Sequence, residues 1–239
     1  MAKTLKEWLA TDVAKAEKMG VSKLSNEYFF RDPPRPTYID HEYFFSPADG
    51  TIIYQKIVNP TDPVVEIKGV NYTTQEIMGD NTFDKPSLVI GIFMSFYDVH
   101  INRIPYGGLL KYERKDPIQS KNLPMLALEK DILRKVVNPD NMEYLKNNER
   151  MVNTIYSPSL DYTYHVVQIA DEDVDVISHF TQEQNELYCQ NDRFSLIRWG
   201  SQCDLVLPLD DRYDFELCLK DHMHVEAGID KLIHVSFKS

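Results

Sequence analysis

Two strand-like runs meet at Gly200–Ser201 inside the stretch Phe194–Pro208, and that junction constrains this chain more than any other feature. Phe194-Ser195-Leu196-Ile197 precedes it and Cys203-Asp204-Leu205-Val206-Leu207 follows, both rich in residues that suit a pleated, half-buried surface. Glycine has no Cβ, so the backbone can bend there and another atom can approach its carbonyl. The next side chain is a hydroxyl within reach of that carbonyl. Given a strained bond and a nearby base, Ser201 Oγ attacks the Gly200 carbonyl and an ester replaces the amide. A Gly-Ser pair is also an ordinary turn, since both residues favour turns. What accompanies the pair has to decide between these readings.

The 239 residues suit one large domain or two small ones with a substantial core. A formal net charge of −11 argues against nucleic acid as a partner, because phosphate backbones need a basic surface. It also gives no general attraction to an anionic membrane, although a local basic patch remains open. Cys189, Cys203 and Cys218 are odd in number and lack a CxxC spacing, which favours buried thiols in a reducing compartment. No signal-peptide pattern opens the sequence, and no apolar run approaches the ~20 residues a spanning helix needs. The expectation is a cytoplasmic protein in at most peripheral contact with a membrane.

Along the chain, Leu5, Trp8, Leu9, Val13, Ala16 and Met19 recur at helical spacing and Gly20 supplies a stop. That helix either packs on the body or anchors to a membrane through Trp8. Acids mixed with lysines on its polar face favour packing. Three prolines in Pro33-Pro34-Arg35-Pro36 forbid helix and ask for extended chain. Ser46-Pro47-Ala48-Asp49-Gly50 reads as a turn before the strand Thr51–Tyr54, with Asp49 either bonding the turn's backbone or standing as a placed carboxylate.

Leu88–Ser95 is almost continuously apolar, hence a buried strand. It leads to Asp98-Val99-His100-Ile101-Asn102-Arg103, where alternation puts Asp98, His100 and Asn102 on one face. Tyr106-Gly107-Gly108 signals a hairpin. Residues 124–148 switch to helical spacing, broken by Asn138-Pro139-Asp140. Strands are expected over 162–170, 174–180, 203–207, 213–219 and 231–237, with Ala227-Gly228 turning the last pair. Asp171-Glu172-Asp173 lacks the glycine and terminal glutamate of a calcium loop and reads as a solvated turn. His222 and His224 form a possible metal pair without a third ligand, so no metal is expected. A Ser-His-Asp hydrolase triad lacks the elbow motif that would hold its serine.

Four segments, in order, resemble the phosphatidylserine decarboxylase family, in particular its shorter prokaryote-type branch. They are Phe29-Phe30-Arg31-Asp32-Pro33-Pro34-Arg35, Ser46-Pro47-Ala48-Asp49-Gly50, Phe93-Met94-Ser95 running into Asp98-Val99-His100-Ile101-Asn102-Arg103, and Trp199-Gly200-Ser201. Asn148-Glu149-Arg150 and Val167-Gln168-Ile169-Ala170 match more weakly. The resemblance implies self-cleavage at Gly200–Ser201, which turns Ser201 into a covalent pyruvoyl group. That group takes up the substrate amine and accepts the electrons released as CO₂ leaves. It implies Asp49 as the residue that serves the activation of Ser201, and His100 as the proton carrier for the substrate. Asp98, Asn102 and Arg103 are supporting candidates.

The sequence also departs from the family pattern. Arg103 stands where many members have a second histidine, and an arginine cannot act as a base at ordinary pH. Phe96 replaces a common proline, and Asp171 falls where the short branch often has glycine.

The expected fold is α+β and β-dominated, with antiparallel or mixed sheets, an N-terminal helix, a helical insertion and a C-terminal hairpin region. It is expected as one domain over 1–239: a helical segment 1–27, a large-chain body 28–200 and a small chain 201–239. The expected substrate is phosphatidylserine or a related amine-bearing carboxylate, met at a membrane surface, with phosphatidylethanolamine and CO₂ as products. Two alternatives stand beside it: the same chemistry on a soluble amino acid or serine derivative, and a processing-dead member that acts as a binding protein. A homodimer is a further open expectation.

Overall fold

Alternating apolar residues along short runs produce a strand-dominated chain, as the periodicity requires. A computed structural model describes residues 1–36, 39–119, 121–173 and 175–238. Among them the largest sheet has nine antiparallel strands. Their spatial order is Lys3–Thr4, Met223–Val225, Gly50–Val58, Ser87–Met94, Ser201–Pro208, Tyr162–Ala170, Arg150–Ser157, Gly108–Lys115 and Glu186–Tyr188. Two three-stranded sheets, Ile177–His179/Arg193–Ile197/Ile101–Arg103 and Tyr213–Leu217/Lys231–Phe237/Tyr43–Phe45, accompany it.

Each face of the large sheet buries its own apolar cluster. Ile52, Ile92, Met94, Val166, Cys203 and Leu205 pack with Phe194, Ile197, Phe44 and Ile233 from the small sheets. Ile53, Phe93, Val167 and Val206 pack with Trp8, Leu128, Ile132 and Tyr144 from the helical segments. The result is three layers: small sheets, large sheet, helices. The expected α+β class, the N-terminal helix and the helical insertion are all present.

The N-terminal segment is helical from Leu5 to Met19 and starts in a capping box, with Thr4 and Glu7 satisfying each other's backbone. Gly20 ends it at a φ of 76°. Trp8 is buried and stacks on His224 at 4.6 Å, so this face packs inward and offers no membrane anchor. The insertion folds as Leu126–Leu133, Pro139–Asn141 and Tyr144–Asn147.

Several local expectations give way to tertiary pairing. Tyr106-Gly107-Gly108 does not close a hairpin. Ile101–Arg103 pairs with Arg193–Ile197, whereas Gly108–Lys115 pairs with Arg150–Ser157 in the large sheet. The expected last pair does form, Tyr213–Leu217 lying antiparallel to Lys231–Phe237, but a further strand, Met223–Val225, intervenes in their connection and crosses to Gly50–Val58. The strand expected over 174–180 shrinks to Ile177–His179, and Val174 lies outside the described residues.

The residues after Ser201 are pinned by a buried polar network. Gln202 Nε2 donates to Asp204 Oδ1 at 2.6 Å and to Tyr54 Oη at 2.8 Å, and Tyr144 Oη donates to Gln202 Oε1 at 2.6 Å. Tyr54 Oη in turn donates to Asp204. Burial pushes the Asp204 carboxyl up to about 7, although these donors pull the other way. Its pKa is higher in the folded than in the unfolded chain. Its stabilising contribution is therefore complete below the unfolded value near 3.9 and is lost as pH rises through about 7. Asp204→Asn should flatten the pH dependence of Tm between pH 5 and 8 by several degrees, read by calorimetry.

Candidate active site

Ser201 opens a central strand, opposite Met94 on one side and Ala170 on the other, and is fully buried. Its hydroxyl lies 3.1 Å from His100 Nδ1, with Met94 Sδ and the Trp199 carbonyl oxygen each at 3.5 Å. The other ring nitrogen, Nε2, sits 2.9 Å from the Ser95 carbonyl oxygen. A carbonyl can only accept, so Nε2 carries the proton and Nδ1 is left as the acceptor for the Ser201 hydroxyl. Burial lowers His100 to about 4, outweighing the Ser95 hydrogen bond and the Asp98 charge that favour its protonation. The imidazole is therefore neutral at ordinary pH, with a free lone pair aimed at the serine.

The Ser95 carbonyl is itself fixed. Asp98 Oδ2 accepts from Ser95 N at 2.8 Å and from Ser95 Oγ at 2.7 Å, while Asp98 Oδ1 meets His224 Nε2 at 2.6 Å. Burial opposes ionisation of Asp98, but the His224 contact and the Ser95 donors outweigh it and hold the carboxyl below its usual range. The local reading of this stretch changes accordingly. Asp98 belongs to the turn after the buried strand, and its hydrogen bonds go to Ser95 and His224. His222 is a positive-φ turn residue, and among the described residues no cluster that would hold a metal ion occurs.

Asn102 stays on the serine's side. Its Nδ2 reaches Met94 Sδ at 3.8 Å and the Pro47 carbonyl at 3.2 Å, and its Oδ1 accepts from Gln168 Nε2 at 2.7 Å. Asp49 lies elsewhere: Arg35 grips both its oxygens at 2.7 Å, and Ala227 N donates to Oδ1 at 2.8 Å. Among the described residues its hydrogen bonds reach neither Ser201 nor His100. Gly50 beside it has a φ of 156°, and a Cβ there would fall 2.2 Å from the Phe93 carbonyl oxygen. Only glycine lets that turn sit against the strand. Arg103 donates to the Asn191 carbonyl at 2.9 Å, and among the described residues its hydrogen bonds do not reach the serine.

Two features at the junction have only a faint signal in the sequence. Trp199 adopts a φ of 69°, a left-handed conformation that a bulky side chain rarely takes and that stores strain next to Gly200. Asp171 Oδ1 accepts from Met125 N at 2.7 Å and Glu172 N at 2.8 Å, and its Oδ2 faces Gly200, 2.6 Å from where a Cβ would stand. Burial raises Asp171 to about 6 despite those two donors. The signal for it was the acid standing where related sequences often have glycine. Phe29 closes the site, its ring 4.1 Å from His100 and 5.9 Å from Trp199.

This constellation is a buried serine after glycine with a neutral histidine as its hydrogen-bond acceptor. The family model for phosphatidylserine decarboxylase matches residues 26–231, and the chain belongs to that family of carboxy-lyases. It is 30% identical over 203 residues to a putative archaetidylserine decarboxylase proenzyme of Methanocaldococcus jannaschii, covering 84% of this chain and 85% of that protein. It is 31% identical over 184 residues to the phosphatidylserine decarboxylase proenzyme of Xanthobacter autotrophicus, covering 77% of this chain and 64% of that one. Against the corresponding proenzyme of Chlorobium phaeobacteroides the figures are 29%, 76% and 67%. The chain thus spans slightly less than two thirds of the Xanthobacter relative.

Two outcomes follow for self-cleavage, scored as conversion of one band to two on a denaturing gel. His100→Gln should slow it by about 10²–10⁴-fold by removing the base. Asp171→Asn should raise the rate severalfold at pH 7.5 and remove its decline through about pH 6. Above that pH the wild-type carboxylate opposes the negative charge growing on the Gly200 carbonyl.

Proposed function

We propose that this protein is a pyruvoyl-dependent decarboxylase that matures by cutting itself between Gly200 and Ser201 and then acts on the serine head group of a glycerophospholipid. The observation that carries the reading is the His100 Nδ1 lone pair 3.1 Å from Ser201 Oγ. His100 takes the hydroxyl proton as Oγ bonds to the Gly200 carbonyl carbon. The C–N bond then breaks and the nitrogen of residue 201 receives a proton, leaving an ester. Loss of the residue-201 α-proton expels the Gly200 carboxylate, and water releases the nitrogen as ammonia.

The residues present fit the resulting group. Ser201 is anchored by its strand, the Gln202–Asp204–Tyr54 network holds the next residue, and the pocket excludes water. Once formed, the pyruvoyl group supplies the electron sink for decarboxylation. His100 Nδ1 faces the position the hydroxyl leaves and is the residue placed to move a proton at the substrate α-carbon. Asp98, through Ser95, keeps that ring in one tautomer. The role of Asp49 is structural support: it ties Arg35 and the Ala227 backbone to the floor of the site.

The lipid reading is favoured over a soluble serine derivative by the rim of the site. Phe30 packs on Phe29 and is half exposed, Trp199 is exposed over the junction, and exposed Leu126 follows the Met125 whose amide holds Asp171. Phe29, Phe44, Phe45 and Trp8 are all buried and cannot serve as membrane contacts. Among the described residues no helix is long and apolar enough to cross a membrane, and this rim is the surface we assign to peripheral contact.

Intact mass of the purified protein should show a large chain ending at Gly200 and a small chain with a blocked N-terminus, and Ser201→Ala should leave one chain. Wild type that stays intact yet releases CO₂ would end the pyruvoyl reading. Co-sedimentation with phosphatidylserine vesicles should survive high salt and weaken in Phe30→Ser/Leu126→Ser, because apolar burial is not screened. CO₂ release from glycerophosphoserine but not from vesicles would move the assignment to a soluble substrate.

A further inference from the structure

A cavity of about 340 Å³ is lined by Asp32, Pro33, Pro34, Arg35, Arg103 and Arg193. Three guanidinium groups in one cavity are unusual for a chain of net charge −11. They are not equally satisfied. Arg35 is neutralised by its bidentate pair with Asp49 and also donates to the Ala227 carbonyl. Arg103 and Arg193 share a single carboxylate: Arg193 Nη1 bonds Asp32 Oδ2, and Arg103 Nη2 stands 3.7 Å from Asp32 Oδ1. Burial, then repulsion from Arg35 and Arg193, lowers Arg103, as a local excess of positive charge requires.

The cavity is tied to the active site on two sides. Arg103 lies three residues beyond His100, about 10 Å along an extended chain. Asp32 lies three residues beyond Phe29, whose ring covers His100. Residues 29–35 therefore form one strap. Phe29 sits on His100, Arg31 donates to the Tyr97 and Asp98 carbonyls, Asp32 bridges two arginines and Arg35 holds Asp49. Ser201 and His100 are fully buried, and this strap is one of the elements that cover them.

We propose that the cavity is the subsite for the substrate's phosphate ester, with Arg103 and Arg193 as its ligands and Asp32 as an internal carboxylate that occupies their donors beforehand. The planar forks of two arginines match a phosphate's paired oxygens better than a point charge would. An arriving phosphate displaces Asp32, and loss of that bridge frees the strap that keeps Phe29 on His100. The phosphate class rests on the decarboxylase reading above, since a serine head group carries its phosphate a few bonds from the amine. The cavity's affinity for an anion does not.

The opposite signs expected for two substitutions make the test specific. Calorimetry on the full-length protein with glycerophosphoserine should show binding that weakens about 10-fold or more in Arg193→Gln and tightens severalfold in Asp32→Asn. In CO₂-release assays the KM for both glycerophosphoserine and phosphatidylserine vesicles should move the same way. The KM for O-methylserine, which keeps the amine and carboxylate but lacks the phosphate, should not move. Equal losses in both variants, or no change in Arg193→Gln and Arg103→Gln, would overturn the subsite. Inorganic phosphate that binds as tightly as glycerophosphoserine with the same variant pattern would also overturn it, in favour of a free-phosphate site. Absence of CO₂ from every substrate would count against the decarboxylase reading alone, because the calorimetric arm stands without turnover.

Discussion

A single imidazole, neutral at ordinary pH, faces the buried serine, and much of the surrounding structure keeps it neutral and turned that way. From the N-terminal helix inward, Trp8 stacks on His224, His224 holds Asp98, Asp98 fixes Ser95, and the Ser95 carbonyl takes the His100 Nε2 proton. Each link removes one freedom, and the lone pair on Nδ1 faces the Ser201 hydroxyl. Burial supplies the rest by making the charged ring unfavourable. His224 lies after Gly200–Ser201 in the sequence, so the chain of contacts joins the segments on either side of that step.

The same burial creates a problem of access. A site dry enough to hold a neutral histidine and a strained Gly-Ser step is closed to substrate. The strap 29–35 reconciles the two requirements because it is held by polar contacts to carbonyls and arginines rather than by deep apolar packing, Phe29 excepted. Such contacts can be exchanged for those of an incoming anion at modest cost. The exposed aromatic rim at Phe30 and Trp199 then lies where a lipid head group would enter.

The acidic total charge says little about this local field. Asp49 and Asp32 are both spent on arginines, and the cavity between them stays electropositive inside a chain of net charge −11. Asp171 works in the opposite sense, placing a carboxyl against Gly200 at the reacting bond. Charge placement at a distance of a few ångströms, not net charge, governs both sites.

The strand-dominated fold, the buried strand 87–94, the strand 162–170 and the two runs flanking Gly200 were legible in the sequence, because apolar periodicity and β-branched runs are local signals. Ser201 and His100 were legible as well, and the structure brings them into contact although 101 positions separate them. The sequence misled where pairing is non-local. Tyr106-Gly107-Gly108 looked like a hairpin, yet its two arms belong to different sheets whose partners lie some 40 to 90 residues away. Asp98 seemed to share a face with His100, and only the turn geometry sent it to Ser95 and His224. Asp49 read either as a turn residue or as a placed carboxylate, and which cation it meets depends on where the proline-rich strap crosses the fold. Local chemistry chose the residues that can react; only the tertiary structure decided which of them meet, because hydrogen bonds act over about 3 Å in space and carry no memory of distance along the chain.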